Sequence, residues 1–134
     1  MVVDASAVLE ALIEPAPQAL LDRLAGETEW SAPYLIDVEF LNSLRRLVLA
    51  GLVSEERAAY ARSDFADLTI ERFPHEPFAE RIWELRHNLS AYDAVYVALS
   101  EKVEVPLITC HAGLAEAPGV ETTIELFETL EKSP

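Results

Sequence analysis

Leu89-Ser90-Ala91-Tyr92-Asp93-Ala94-Val95-Tyr96-Val97-Ala98-Leu99 is apolar along most of its length and reads as a buried helix with one carboxylate, Asp93, in its first turn. Ser90 is a fitting N-cap, and an acid near a helix start suits the positive end of the helix dipole. That alone would account for Asp93. Two further acids need more. Asp4 ends the apolar run Met1-Val2-Val3, and Glu39 interrupts the apolar pattern of a helix expected over 34–50. A charge taken out of water is costly unless it is paired or coordinates a metal. Three acids in apolar settings, far apart in the chain, share one simple explanation: a divalent ion held between them.

Outward from this helix the chain alternates. A strand over 1–3 leads into a helix over 5–13, stopped by Pro15 and Pro17, and a second helix over 18–25 ends at Gly26. A strand is expected over 30–33, then helices over 34–50 and 55–65, the second opened by Ser54 and two glutamates. A strand over 68–73 and a helix over 78–87 precede the Asp93 helix. After it come a strand over 105–110, a helical turn over 111–115, a strand over 120–124 and a terminal helix over 125–132. Alternating strands and helices predict an α/β fold with a mostly parallel sheet, whose sites form at the carboxyl ends of the strands. Asp4 and the run Thr109-Cys110-His111 both fall at such ends.

With 134 residues and 51% hydrophobic content, the chain suits one domain, 1–134, with a real core. No apolar run is long enough to span a membrane. The N-terminus lacks the basic region of a signal peptide, and the lone Cys110 excludes an internal disulfide. Both point to the cytoplasm. The net charge of −14 disfavours nucleic acid on its own, yet a cation in a carboxylate cluster can bridge it to phosphate.

On the helix over 34–50, Asn42, Ser43 and Arg46 fall near the face of Glu39, while Leu35, Val38, Leu41, Leu44 and Leu49 supply apolar contacts elsewhere. This gives an acid for a metal, an amide to orient it and a cation for a phosphate. A solvated polar face would show the same spacing. Asp4, Glu39 and Asp93 suit Mg²⁺ or Mn²⁺, which prefer hard oxygen donors. Ser6 and Thr109 could support them as hydrogen-bond partners, or serve only capping and strand propensity. Arg45, Arg46 and Arg81 are candidate contacts to the phosphates of a substrate. A zinc-type Cys/His spacing, a glycine-rich phosphate loop and a Gly-x-Ser-x-Gly elbow are all missing from the sequence.

Four segments in order, Val2-Val3-Asp4-Ala5-Ser6, Asp37-Val38-Glu39-Phe40-Leu41-Asn42, Tyr92-Asp93-Ala94-Val95-Tyr96-Val97-Ala98-Leu99 and Leu107-Ile108-Thr109-Cys110, resemble the motifs of PIN domains, and most of all those of VapC toxins. The resemblance spans nearly the whole chain. It implies a three-layer α/β/α fold, Mg²⁺-dependent endoribonuclease activity, a homodimer and a cognate VapB-type antitoxin. It carries Asp4, Glu39 and Asp93 over as metal-binding acids and Thr109 as a supporting hydroxyl. One position departs. The family usually has an acid directly after the pair occupied here by Thr109-Cys110, and this chain has His111. That leaves open one metal or two.

Two other readings are distinguishable. His111 would favour a weakened PIN-like module that mainly binds RNA or antitoxin; the three retained acids speak against it. A phosphatase or receiver-type domain would want a second acid near Asp4 and a lysine ending a late strand, and the sequence has neither.

Overall fold

The computed structural model describes residues 1–133. Its centre is a five-stranded, all-parallel sheet in the order β3-β2-β1-β4-β5. The strands are β1 (Val2–Val3), β2 (Trp30–Pro33), β3 (Ile70–Phe73), β4 (Leu107–Thr109) and β5 (Ile124–Leu126). Val2, Val3, Leu107, Ile108 and Thr109 are fully buried. This is the pattern of strands covered on both faces.

Helices α1 (Ala5–Leu12), α2 (Gln18–Ala25), α3 (Ile36–Leu49) and α4 (Glu55–Asp67) connect β1, β2 and β3. A turn of 3-10 helix at Glu76–Phe78, α5 (Ala79–Glu84) and α6 (Ala91–Val103) lead back across the sheet to β4, and α7 (Ala112–Ala115) joins β4 to β5. With right-handed crossovers, a chain that first runs one way from β1 and later the other way puts these two helix sets on opposite faces. The packing agrees, since α1 lies against α3 and α4, and α6 lies against β1, β2, β4 and α5. The result is the expected three-layer α/β/α arrangement.

Local chemistry sets the helix ends. Ser54 caps α4 by accepting from Arg57 N–H at 3.2 Å, and Ser90 caps α6 by accepting from Asp93 N–H at 3.2 Å. Gly51 follows α3 at φ +73, where an L side chain would be strained. Helix α3 buries Ile36, Phe40 and Leu44, one turn apart, and the Phe40 ring stacks on Phe65 of α4 at 4.1 Å.

Three expectations need correction. Val38, Leu41 and Leu49 do not join the core; they are 66%, 50% and 70% exposed and leave an apolar strip on the outside of α3. The helix expected over 78–87 ends at Glu84, and the chain then turns toward the Ser90 cap. Most of all, the terminal helix expected over 125–132 is absent among the described residues, and the last strand lies later than 120–124. Ile124–Leu126 instead pairs with Leu107–Thr109 as the outer strand, and Phe127 N–H donates to Thr109 O at 2.9 Å. Beyond it the chain returns to α1. Glu10 Oε1 accepts from Leu130 N–H and from Lys132 Nζ, each at 2.8 Å. These tertiary bonds outweigh helix propensity over so short a segment.

Candidate active site

Strand order reverses between β1 and β4, and the crevice outside the carboxyl ends of these strands is where open α/β sheets place their sites. Asp4 follows β1 there and Thr109 ends β4. Asp4 is only 6% exposed, and it is the N-cap of α1, its Oδ1 accepting from Ala7 N–H at 2.9 Å. Oδ1 also accepts from Ser6 Oγ at 2.7 Å, and Thr109 Oγ1 donates to Oδ2. Each hydroxyl in turn accepts a backbone N–H from the loop after β4, Ser6 Oγ from Cys110 at 3.0 Å and Thr109 Oγ1 from His111 at 2.9 Å. Asp4 is thereby fixed in direction by groups from both sides of the crevice, Ser6 and Thr109 each donating to its carboxylate.

Glu39 comes from the first turn of α3 and is half-buried. Tyr96 Oη donates to its Oε1 at 2.7 Å. Tyr96 lies one turn beyond Asp93 on α6, so one helix face supplies both an acid and the phenol that orients another. The sequence reading passed over Tyr96 as part of a greasy run; its i,i+3 spacing from Asp93 is the signal that could have found it. Asp93 stands at the rim, with Oδ2 3.5 Å from His111 Nδ1.

Asp4, Ser6, Glu39, Ser43, Arg46, Asp93, Tyr96 and His111 line one cavity of about 220 Å³, several times the roughly 30 Å³ share of a single water. Ser43 and Arg46 lie one and two turns beyond Glu39 on α3, as the helical spacing requires. Asn42 is exposed and does not line the cavity. Arg45 points instead to the groove between α3 and α4. Arg81, on α5, is bound to Glu101 at the far end of α6 through Nε–Oε1 at 2.7 Å and Nη2–Oε2 at 3.0 Å, and also to Gly119 O. Of the three arginines, only Arg46 lines the cavity of the acids.

Negative charge accumulates in this cavity. Burial raises the Asp4 carboxyl above its ordinary range, more than the hydrogen bonds from Thr109, Ser6 and Ala7 lower it, and Asp93 adds to the rise. Burial raises Glu39 as well, with the charges of Asp4 and Asp93 adding while Tyr96 opposes. The Tyr96 phenol is pushed far up by burial and by Glu39, so it remains a donor. Burial, with Asp4 and Glu10 nearby, pushes the Cys110 thiol up to about 12, so it is no nucleophile. Among the described residues, no three Asp, Glu, His or Cys groups close into a tight ligand cluster. Asp4, Glu39 and Asp93 nonetheless line one cavity, and carboxylate oxygens are the hard donors that Mg²⁺ and Mn²⁺ take together with retained waters.

Comparisons with known proteins give the family of the fold. Residues 1–120 match the family described as PIN domain. The chain is 44% identical over 127 residues to Ribonuclease VapC1 of Mycobacterium tuberculosis, covering 93% of this chain and 96% of that one. It is 39% identical to Ribonuclease VapC12 of the same organism, covering 94% and 98%. In the solved structure of VapBC2 from Rickettsia felis bound to a DNA fragment from their promoter, one chain superposes with a TM-score of 0.65 at 12% identity, covering 92% of this chain and 96% of that chain. The chain belongs to the PIN-domain family, among the VapC ribonucleases.

Proposed function

We propose that this chain is the toxin of a type II toxin–antitoxin pair, an endoribonuclease that hydrolyses RNA phosphodiester bonds with Mg²⁺ or Mn²⁺ held by Asp4, Glu39 and Asp93. The observation that carries this reading is the convergence of those acids, from β1, α3 and α6, on one cavity that also contains Arg46. A divalent ion in such a place polarises a phosphoryl oxygen and acidifies a bound water. The chain's own residues do the rest. Ser6, Thr109 and Tyr96 aim the acids, and the Arg46 guanidinium offers a fork to a phosphate of the substrate. With a net charge of −14, RNA has little to hold elsewhere on average, so approach depends on this cationic point and on the bound ion.

The partners proposed are a second copy of the chain and a VapB-type antitoxin, with the cytoplasm as the place of action. Among the described residues no helix is long and apolar enough to cross a membrane. The α3–α4 groove has an apolar floor of Leu41, Leu44, Val48 and Leu49 and a charged rim of Arg45, Arg62 and Glu55, which suits an antitoxin segment. It runs beside Arg45 but not beside Arg81, which is held by Glu101.

Asp93→Asn tests the reading. The variant is expected to keep the wild-type circular dichroism spectrum and to lose RNA cleavage by about a hundredfold or more. Undiminished, metal-dependent cleavage by folded Asp93→Asn would sink the assignment.

A further inference from the structure

We propose that His111 is a direct donor to the ion of this site, which therefore takes Mn²⁺ in preference to Mg²⁺. The inference rests on the ribonuclease reading above and adds a residue to its ion.

Four observations place the imidazole. His111 occupies the N-cap position of α7, yet its side chain makes no cap hydrogen bond. It lines the acid cavity instead. Its backbone is fixed by the bond from His111 N–H to Thr109 Oγ1, the same hydroxyl that donates to Asp4, so its Cα is tied to the first acid. Gly113 leaves the ring its room, since a Cβ there would stand 3.2 Å from His111 Nε2, a tight contact that the ring would have to relieve by a small shift. The fourth observation is the 3.5 Å between His111 Nδ1 and Asp93 Oδ2. That is long for a hydrogen bond. It sets an imidazole nitrogen beside a carboxylate oxygen on one cavity, where both could serve the same ion.

The chemistry follows from the donor set. Mg²⁺ takes oxygen donors and dehydrates reluctantly. An imidazole replaces a hard anionic oxygen with a neutral, softer nitrogen. This weakens Mg²⁺ and favours a first-row transition ion, and with carboxylates still in the majority the suited ion is Mn²⁺.

The test uses the full chain near pH 7.5, titrated with MnCl₂ and with MgCl₂ by calorimetry, and pulsed electron paramagnetic resonance of the bound Mn²⁺. The wild type is expected to bind Mn²⁺ about tenfold more tightly than Mg²⁺ or better, with a directly coordinated ¹⁴N coupling in its spectrum. His111→Ala loses that coupling. His111→Asp loses it too and narrows the Mn²⁺/Mg²⁺ ratio by strengthening Mg²⁺. The wild-type spectrum is decisive without any variant. Bound Mn²⁺ lacking ¹⁴N coupling in the wild type overturns the inference and leaves the ribonuclease reading standing, His111 then being only a neighbour of Asp93. Failure of the wild type to bind either ion while cleaving RNA overturns the metal-dependent reading and this inference together.

Discussion

Glu39 and Tyr96 show what one hydrogen bond does in a crowded anionic site. The phenol donates to Glu39 Oε1 from a position 2% exposed. Tyr96→Phe keeps the ring and deletes the donor, leaving a half-buried carboxylate oxygen without its partner. The expected cost is about 1–2 kcal/mol in denaturant unfolding, with metal affinity about tenfold weaker because Glu39 is no longer aimed. Calorimetric Mn²⁺ titration separates the two effects. Glu39→Gln should act in the opposite sense on stability. It removes one of three mutually repelling charges from a site that burial already penalises, so without metal its melting temperature should equal or exceed that of the wild type. Added Mn²⁺ should raise the wild-type value well above the variant's, and RNA cleavage should fall about a hundredfold. A lower melting temperature for metal-free Glu39→Gln would show that the charge is not the burden argued here.

At the level of elements, α6 does two jobs at its two ends. Its start presents Asp93, and its far end anchors α5 and the loop before β5 through Glu101. That carboxylate accepts two bonds from Arg81 and one from Glu121 N–H at 2.7 Å. Burial alone would raise its pKa; Arg81 and the Glu121 N–H outweigh burial and hold it below the ordinary carboxylate value. A depressed folded pKa means stability that is whole above the unfolded pKa and is lost as pH falls through the folded one. Glu101→Gln should therefore be less stable than wild type at pH 7, with a shallower loss of stability between about pH 5 and pH 3, read as denaturant midpoints. The start of α6 was legible in the sequence because Ser90 and Asp93 follow the capping rules. Arg81 was misplaced because helical spacing shows which face a side chain takes but not which acid, twenty residues on, will hold it. The strand Leu107–Thr109 was legible as a continuous apolar run. The strand Ile124–Leu126 was not, since Ile124-Glu125-Leu126 alternates too briefly to exclude a helix, and its pairing with β4 decides the matter. For α3 the apolar residues were visible, but Val38, Leu41 and Leu49 read as core until the tertiary placement of α4 showed which stripe it covers.

Across the whole molecule, the last residues act on the first helix. Lys132 is 5% exposed at its side chain and Glu10 8%, and they pair at 2.8 Å while Arg57 Nη1 holds Ser133 O. Lys132→Met strands a buried glutamate and should cost about 3 kcal/mol in unfolding free energy. Adding Glu10→Leu should restore most of it, because an apolar pair of similar volume suits that place; a double variant no more stable than the single one would refute the account. The crevice between β1 and β4 has a consequence for the timing of synthesis. Asp4 precedes its partner hydroxyl by 105 residues, and Asp93 comes only shortly before that hydroxyl. A ribosome building this chain therefore carries an incomplete site until β4 has been added beside β1, and no partial product ending before residue 109 can hold Asp4 in its finished setting. For a ribonuclease, the acid site is thus complete only once β4 has joined β1.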